Sequence, residues 1–323
     1  MQEASMPPRL HLRTISLQTI DLEDPTYCFS PGEKIVISDD LVESVARFGL
    51  IHPPIVKDNP PQGYQVVSGR KRLIVLKEHF GKRQVECLVL SESTPPKTAL
   101  ALSFENLRFK GPVSLMQQAE YITKMLQVTD EREITDSCYP QIGLSHYKYP
   151  VRKLVGLTRL EETVKQAIHA GDITVKTALQ LADMSFTDRM SLFEIIQYLK
   201  LSVGNQKKLM DTCRELAKRD NTSIMNIVAD PEIQEALKHD QANIPQKTAA
   251  LMQILHHKRL PRYCQARKNF TALAASLELP KEVQLTHAES FEKDTVTLSI
   301  TFADSEALEG KWPALKKILS NQS

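Results

Sequence analysis

Residues 66–81, VVSGRKRLIVLKEHFG, decide how the first part of the chain folds. The apolar run before Gly69 predicts a strand, and the stretch after it carries Leu73, Leu76 and Phe80 at the spacing of one helix face. The first N–H groups of a helix have no intrahelical partner and carry partial positive charge. A strand that passes through a glycine into a helix is therefore a ready site for an anion.

Three cations, Arg70, Lys71 and Arg72, follow Gly69 directly. The plainer interpretation is a solvated basic turn, because one glycine followed by cations is a weak signal. However, cations in the first turn of a helix oppose its dipole, and a bound anion would offset that cost. On these residues alone both interpretations stay open, and the candidate phosphate-binding residues are Gly69, Arg70, Lys71 and Arg72.

A second group of polar residues lies further along, in the stretch FENLR at 104–108. Glu105 and Asn106 offer oxygen ligands of the kind that Mg²⁺ binds, and Arg108 offers a partner for phosphate. The commoner interpretation is a hydrogen-bonded cluster at a helix end. If the stretch is a functional site, Glu105 is the candidate catalytic acid or base. Glu105 and Asn106 together are the candidate magnesium ligands.

The surrounding sequence predicts an α+β protein that is mostly helical. Strands alternate with helices in residues 1–112, which predicts a small α/β domain. Residues 113–240 show only amphipathic helices, residues 241–277 form a basic helical linker, and residues 278–323 predict an αββα domain.

The composition favours a soluble intracellular protein. The five cysteines are scattered and form no CxxC pair, which favours a reducing compartment and argues against a zinc ribbon or a disulfide framework. No apolar stretch reaches 18 residues and the first residues lack the apolar core of a signal peptide, so we expect a cytoplasmic location and no membrane partner.

Charge segregation is the main signal for nucleic acid. Residues 137–160 and 241–277 contain no Asp or Glu but several Lys and Arg, which is typical either of a solvated face or of a surface that follows a phosphate backbone. In the second stretch the candidate DNA contacts are Lys258, Arg259 and Arg262.

The first of these stretches has the pattern of a helix-turn-helix, ITDSCYPQIGLSHYKYPVRKLVGL at 134–157. We expect Ser145 to cap a second helix that reads a DNA groove. The side chains that this helix would present are His146, Lys148, Tyr149, Arg152 and Lys153. Pro140 and Pro150 disturb the pattern, and they leave open a regulator that has lost its DNA-reading helix.

Taken in order, several of these stretches resemble the ParB partition family, whose N-terminal domain shares its fold with sulfiredoxin. The similar stretches are LVESVARFGLIHPPIV (41–56), YQVVSGRKRLIVLKEHFG (64–81), the segment with FENLR (101–122), the helix-turn-helix with the helices behind it (142–184), and residues 277–308. Gly69, Lys71 and Arg72 match the family's phosphate motif GERRxR, and Glu105 and Asn106 match the first two positions of ENxxR. His52 stands where the family usually has Gln, and we place it with the nucleotide-binding residues.

The resemblance implies a DNA-binding homodimer. In the family the N-terminal domain binds CTP with Mg²⁺, the middle domain reads a centromere-like site in double-stranded DNA, and the last domain dimerises. A Walker-type partition ATPase is the usual partner, and the protein is associated with the nucleoid.

Departures from the family motifs argue for binding of nucleotide over its hydrolysis. The Glu of GERRxR is Arg70 here, its last Arg is Ile74, and the fifth position of ENxxR is Phe109. Arg70 also stands where sulfiredoxin has its reactive Cys, which excludes that activity. The alternative function is a phosphotransferase or nucleotidase on the same fold, with Glu105 as acid or base.

Overall fold

The computed structural model describes residues 8–30, 32, 35–287 and 295–320, with side chains described as far as residue 317. The protein has the predicted α+β, mostly helical fold. It divides into two compact units between Met210 and Asp211. The division into four parts made from the sequence remains a prediction. No helix in the described ranges has the length and apolarity that crossing a bilayer requires.

A five-stranded mixed sheet organises the first unit. Its strands are β1 (Leu10–Ser16), β2 (Ile20–Asp21), β3 (Ile55–Asn59), β4 (Gly63–Ser68) and β5 (Gln84–Leu90). They lie in the order β1-β5-β3-β4-β2. β1 runs antiparallel to β5, β3 runs parallel to β5 and antiparallel to β4, and β2 pairs in parallel with β4.

Three helices accompany the sheet: α1 (Asp39–Phe48), α2 (Arg70–Glu78) and α3 (Pro96–Arg108). The core forms between them because the apolar positions of α2 face those of the strands. Leu73, Val75 and Leu76 from α2 lie in one buried cluster with Val56, Val66, Val85 and Val89 from the sheet. The strand–glycine–helix junction predicted at Gly69 is thus fixed from both sides by apolar burial.

The helical part of the first unit begins with α4 (Leu115–Met125). It continues with α5 (Glu131–Glu133), a π-helical turn (Ile134–Cys138), α6 (Tyr139–Ile142), α7 (Val151–Thr158), α8 (Glu162–Ala170), α9 (Val175–Ala182), α10 (Phe186–Tyr198) and α11 (Val203–Arg219), which contains the division between the units.

An aromatic cluster joins this helical part to the sheet. The rings of Phe104 in α3 and Tyr121 in α4 stack with centroids 4.1 Å apart, and Phe29 lies edge-on to both. Phe104 and Tyr121 are fully buried. α3, which carries Glu105 and Asn106, is therefore held firmly between the sheet and α4.

The second unit continues with α12 (Ile224–Val228), α13 (Pro231–Lys238), α14 (Ile244–Arg259) and α15 (Pro261–Ser276). The antiparallel strands β6 (Val283–His287) and β7 (Val296–Ile300) follow, and then α16 (Ser305–Ser320). The helix that precedes the two strands is α15, which ends at Ser276 and lies in the stretch predicted as a linker. The bounds 278–323 of the predicted αββα domain remain a prediction.

Candidate anion and nucleic-acid sites

Gly69 adopts a conformation and a position that only glycine fits. Its φ of 93° and ψ of 17° are left-handed, and it immediately precedes α2. A Cβ atom built on it would lie 3.0 Å from Cβ and 3.1 Å from Cα of Pro54, and 2.9 Å from Nη2 of Arg72. Within the described chain, the amides of Arg70 and Lys71 take no hydrogen-bond partner, whereas that of Arg72 donates to the Gly69 carbonyl at 3.0 Å. The turn therefore offers two open N–H groups.

Two of the three cations after Gly69 are anchored by main-chain carbonyls of other segments. Arg70 donates through Nη2 to the carbonyl of Asp24, and Arg72 donates through Nη1 to the carbonyl of His52. His52 thus contributes its backbone, while its side chain is exposed. Burial lowers the pKa of Arg72, so the charged guanidinium lies in surroundings where an opposite charge would stabilise it.

Asn106 lies next to the turn. Ser68, which precedes Gly69, donates through Oγ to Oδ1 of Asn106 at 3.0 Å. The buried Ser103 hydroxyl lies 2.8 Å from the carbonyl of Val67 and so ties α3 to the end of β4. The structure therefore brings the two motifs together through Asn106, as the phosphate-site interpretation requires.

Glu105 and Arg108 are occupied with each other. Arg108 Nη1 lies 3.0 Å from Glu105 Oε2, one helical turn away, and both side chains are about 40% exposed. The described residues contain no group of three His, Cys, Asp or Glu side chains able to hold a metal. A magnesium ion on Glu105 and Asn106 would need phosphate or water oxygens as further ligands, which is its usual arrangement with nucleotides.

Three residues at this site were missed from the sequence. Partial burial lowers the pKa of Lys110, and the nearby charges of Arg72 and Lys71 lower it further. Lys124 of α4 donates through Nζ to the carbonyls of Pro25 and Thr26. The sequence around Lys110 and Lys124 has no motif that marks them, because their place follows from the tertiary fold.

The third missed residue is Asp24, which orders the loop that holds Arg70. Burial alone would raise the pKa of its carboxyl, but hydrogen bonds from Thr26 and Gln65 and the charge of Arg70 outweigh that effect and lower it. Asp-Pro-Thr at 24–26 is a recognisable turn signal, although nothing in it points to Arg70.

In the predicted helix-turn-helix the second helix begins later than expected. α7 starts at Val151, and Pro150 occupies its N-cap position. The prediction that Ser145 caps this helix is wrong: its carbonyl accepts from the amides of Lys148 and Tyr149 at 3.1 and 2.8 Å and so closes a separate turn. Proline disfavours helical geometry in the residue before it, which explains why the helix cannot extend back to Ser145.

The first helix of the pattern accommodates its proline by a π-helical turn. Pro140 lies at the start of α6, directly after the π turn of Ile134–Cys138. Since proline has no N–H to donate and crowds the preceding turn, the wider turn lets the helical run continue to Ile142. Gly143, at a φ of 69°, then ends the run.

The candidate DNA contacts of the first basic stretch differ in their exposure and in whether they form an ion pair within the described chain. Arg152 is exposed, and it makes no ion pair within the part of the chain that the structure describes. Lys153 pairs with Asp183, which lies outside the acid-free stretch. His146 is half-buried, and the exposed Lys148 lies with Nζ 5.2 Å from the ring centre of Tyr149.

The second basic stretch lacks acids in sequence but not in space. Lys258 Nζ lies 2.7 Å from Asp230 and 3.5 Å from Glu232, and Arg259 lies 2.7 Å from Glu215. Arg262, by contrast, is exposed and has no ion pair among the described residues. Lys258 and Arg259 are therefore paired with acids of their own unit. To bind DNA, each side chain would have to leave its carboxylate partner and pair with a phosphate.

Comparisons with known proteins show what this chain is similar to. No family model matches it. The probable chromosome-partitioning protein ParB of Vibrio cholerae serotype O1 is 23% identical over 217 residues, which cover 67% of this chain and 69% of the relative. The chain is therefore similar to a ParB protein over two thirds of its length.

Solved structures that this chain is similar to also carry the name ParB. The C-terminally truncated ParB of Caulobacter crescentus matches in its complex with CTP-gamma-S (17% identity, 54% of this chain and 93% of that one, TM-score 0.26) and in its complex with the centromeric parS site (17%, 62% and 98%, TM-score 0.35). A Pnob8-like ParB-N domain matches at 13% identity, over 78% of this chain and 98% of that one, with a TM-score of 0.39. These low TM-scores give no basis for transferring sites by superposition.

Proposed function

We propose that this ParB-like chain binds double-stranded DNA in chromosome or plasmid partition and holds CTP at the Gly69 turn. The observation that carries the proposal is the turn itself, where two open amides and the cations Arg70, Lys71, Arg72 and Lys110 surround one helix start. Positive groups this dense are stabilised by a polyanion such as a triphosphate. The names of the relatives supply the choice of CTP and DNA.

Hydrolysis has less support than binding. Glu105 is the candidate catalytic carboxylate, and it is paired with Arg108. The alternative, a phosphotransferase or nucleotidase, needs a carboxylate free to act as a base, and that pair would first have to open. Mg²⁺, held by Glu105, Asn106 and phosphate oxygens, is proposed as a binding partner of the triphosphate.

Calorimetry with the four ribonucleoside triphosphates, with and without Mg²⁺, tests the nucleotide part. We expect saturable binding of CTP, weaker binding of the other three, and phosphate release no faster than in a protein-free sample. Binding of no triphosphate would refute the pocket, and multiple-turnover phosphate release would favour the enzymatic alternative.

A salt titration of duplex binding tests the DNA part. Log affinity falls as log salt rises, and each phosphate contact adds about 0.9 to the steepness of that fall. Arg152→Ala should therefore make the fall less steep by about that amount, and below a lower slope means a less steep fall. Asp183→Asn should raise the slope instead, because it frees Lys153. Arg47→Ala, which removes the same charge from α1, is the control and should change nothing; equal slopes in all four proteins would reject α7 as a DNA contact.

We further propose a homodimer formed through the C-terminal part of the chain. Val296 and Leu298 of β7 and Leu308 and Trp312 of α16 are exposed apolar side chains, each about 40–55% accessible. Leu308 and Trp312 line one surface cavity, and exposed apolar side chains that lie together are typical of a surface that a partner covers. A Walker-type partition ATPase as a further partner, and a cytoplasmic, nucleoid-associated location, remain proposals from the family resemblance.

A further inference from the structure

The turn between α6 and α7 is fixed from the core. The carbonyl of Ser145 accepts from two amides, as described above, and the hydroxyl of the buried Tyr139 donates to the carbonyl of Tyr149 at 2.5 Å. Pro150 then restricts the backbone that leaves the turn. Residues 145–149 therefore form an ordered projection rather than a loose loop.

Tyr147 stands at the tip of this projection with its ring in solvent. Its side chain is 89% exposed, more than any other large apolar or aromatic residue in the described chain. One side of the ring lies on the imidazole of His146, with centroids 3.9 Å apart and planes 37° apart. The imidazole in turn meets the ring of Tyr139 edge-on at 5.9 Å. An aromatic column thus runs from the buried Tyr139 to the exposed Tyr147.

The surroundings of this ring are basic. Lys148 is its neighbour in the turn, Arg152 is exposed at the start of α7, and residues 137–160 contain no Asp or Glu. The acid that reaches α7 from outside, Asp183, is paired with Lys153. A flat apolar ring held still among free cations suits a ligand that combines negative charge with flat apolar groups, which describes a nucleic acid.

We infer that Tyr147 contacts a nucleobase of bound duplex DNA and contributes base preference. The inference rests on the proposed DNA binding of this chain and adds a residue that the helix-turn-helix pattern did not select. The ring carries no charge, so it contributes apolar contact to a base edge or face and releases no counterions from phosphate. Because α7 begins only at Val151, the turn takes over part of the surface that the first turn of a reading helix would offer.

Selection from a duplex library with a randomised centre, followed by anisotropy titrations on the selected duplex, tests this role. Tyr147→Ala should lower the affinity for the selected duplex about tenfold, the size of one lost base contact, and should relax preference at one or two base pairs. Its salt slope should equal that of the unaltered protein, whereas Arg152→Ala lowers the slope. Tyr147→Phe should keep both the affinity and the base preference, because the proposed contact is made by the aromatic ring and not by the hydroxyl.

Phe48→Ala, which removes an exposed ring from α1 (63% exposed), is the control and should behave like the unaltered protein. Unchanged affinity and preference in Tyr147→Ala would overturn the inference while leaving the proposed function intact, and so would a lowered salt slope or a loss confined to single-stranded oligonucleotides. No duplex binding by the unaltered protein would instead refute the proposed function, and the inference with it. Circular dichroism melts should coincide for all variants, because the substituted rings are exposed.

Discussion

Gly69→Ala is expected to lower the free energy of unfolding by about 2–5 kcal/mol and to remove nucleotide binding. A left-handed backbone costs alanine about 1–2 kcal/mol, and forcing a methyl group into a packed site costs about 1–3 kcal/mol. The contacted Pro54 atoms include Cα at 3.1 Å, which belongs to the backbone leading into β3 and cannot turn away. Relief of the clash must shift the turn, and with it the amides of Arg70 and Lys71. Urea denaturation and CTP calorimetry measure the two effects.

Gly171→Ala separates the two causes. Gly171 has nearly the same φ, 86° against 93°, but a Cβ built on it meets no atom within 4 Å. Its replacement should cost only the backbone contribution of about 1–2 kcal/mol and leave CTP binding unchanged. If the two alanine variants lose equal stability, the close approach of Pro54 has no energetic weight, and the turn tolerates a side chain.

The fold was predictable from the sequence where short-range pattern sets it. The strand before Gly69, the helix after it, α4 and the helices α8 to α11 follow from apolar spacing, which reports directly which face is buried. β2, with two residues, is too short to leave such a pattern. The start of α7 was predicted wrongly because Ser145 is a good cap in isolation, and the effect of Pro150 on its predecessors outweighs that preference.

The candidate sites were predictable only in part, for a related reason. Gly69 and the cations after it form one continuous segment, so the sequence marks them, whereas Asp24, Lys110 and Lys124 reach the site through tertiary packing. The basic stretch at 241–277 shows the converse. Its acid-free sequence suggested a free positive face, yet Lys258 and Arg259 find acids on α11, at the start of α13 and within it. Charge along a sequence does not report charge in space.

Arg70, which stands where the similar ParB motif has Glu, takes part in building the turn. Arg70 and Lys124 hold the loop at residues 24–26 from opposite elements, α2 and α4, through its main-chain carbonyls. A glutamate at position 70 would lack any N–H to donate there. The departure therefore has a structural role in this chain. It adds positive charge at a site where the described carboxylates of Asp24 and Glu105 already have partners.

Arg72→Ala is expected to weaken CTP binding by about tenfold to a hundredfold, because a hydrogen bond to a charged group contributes about 1.5–3 kcal/mol. The position of Arg72 is fixed at the turn: the side chain is half-buried, donates to the His52 carbonyl and lies close to Lys110. Arg72→Lys should recover only part of the affinity, since an ammonium group lacks the planar fork that binds phosphate in a bidentate manner. Calorimetry with CTP measures all three proteins.

Lys77→Ala provides the matched control for charge. Lys77 lies in the last turn of the same helix, is exposed, and carries the same charge at the end where a cation favours the dipole. Its loss should leave CTP affinity unchanged, whereas Lys110→Ala should weaken it, because Lys110 reaches the turn through space. Equal weakening by Lys77→Ala and Arg72→Ala would reduce the site to a general attraction by positive charge, and intact binding in Arg72→Ala would place the nucleotide elsewhere. A loss confined to Arg72 and Lys110 is the outcome that only a built phosphate site at the start of α2 produces.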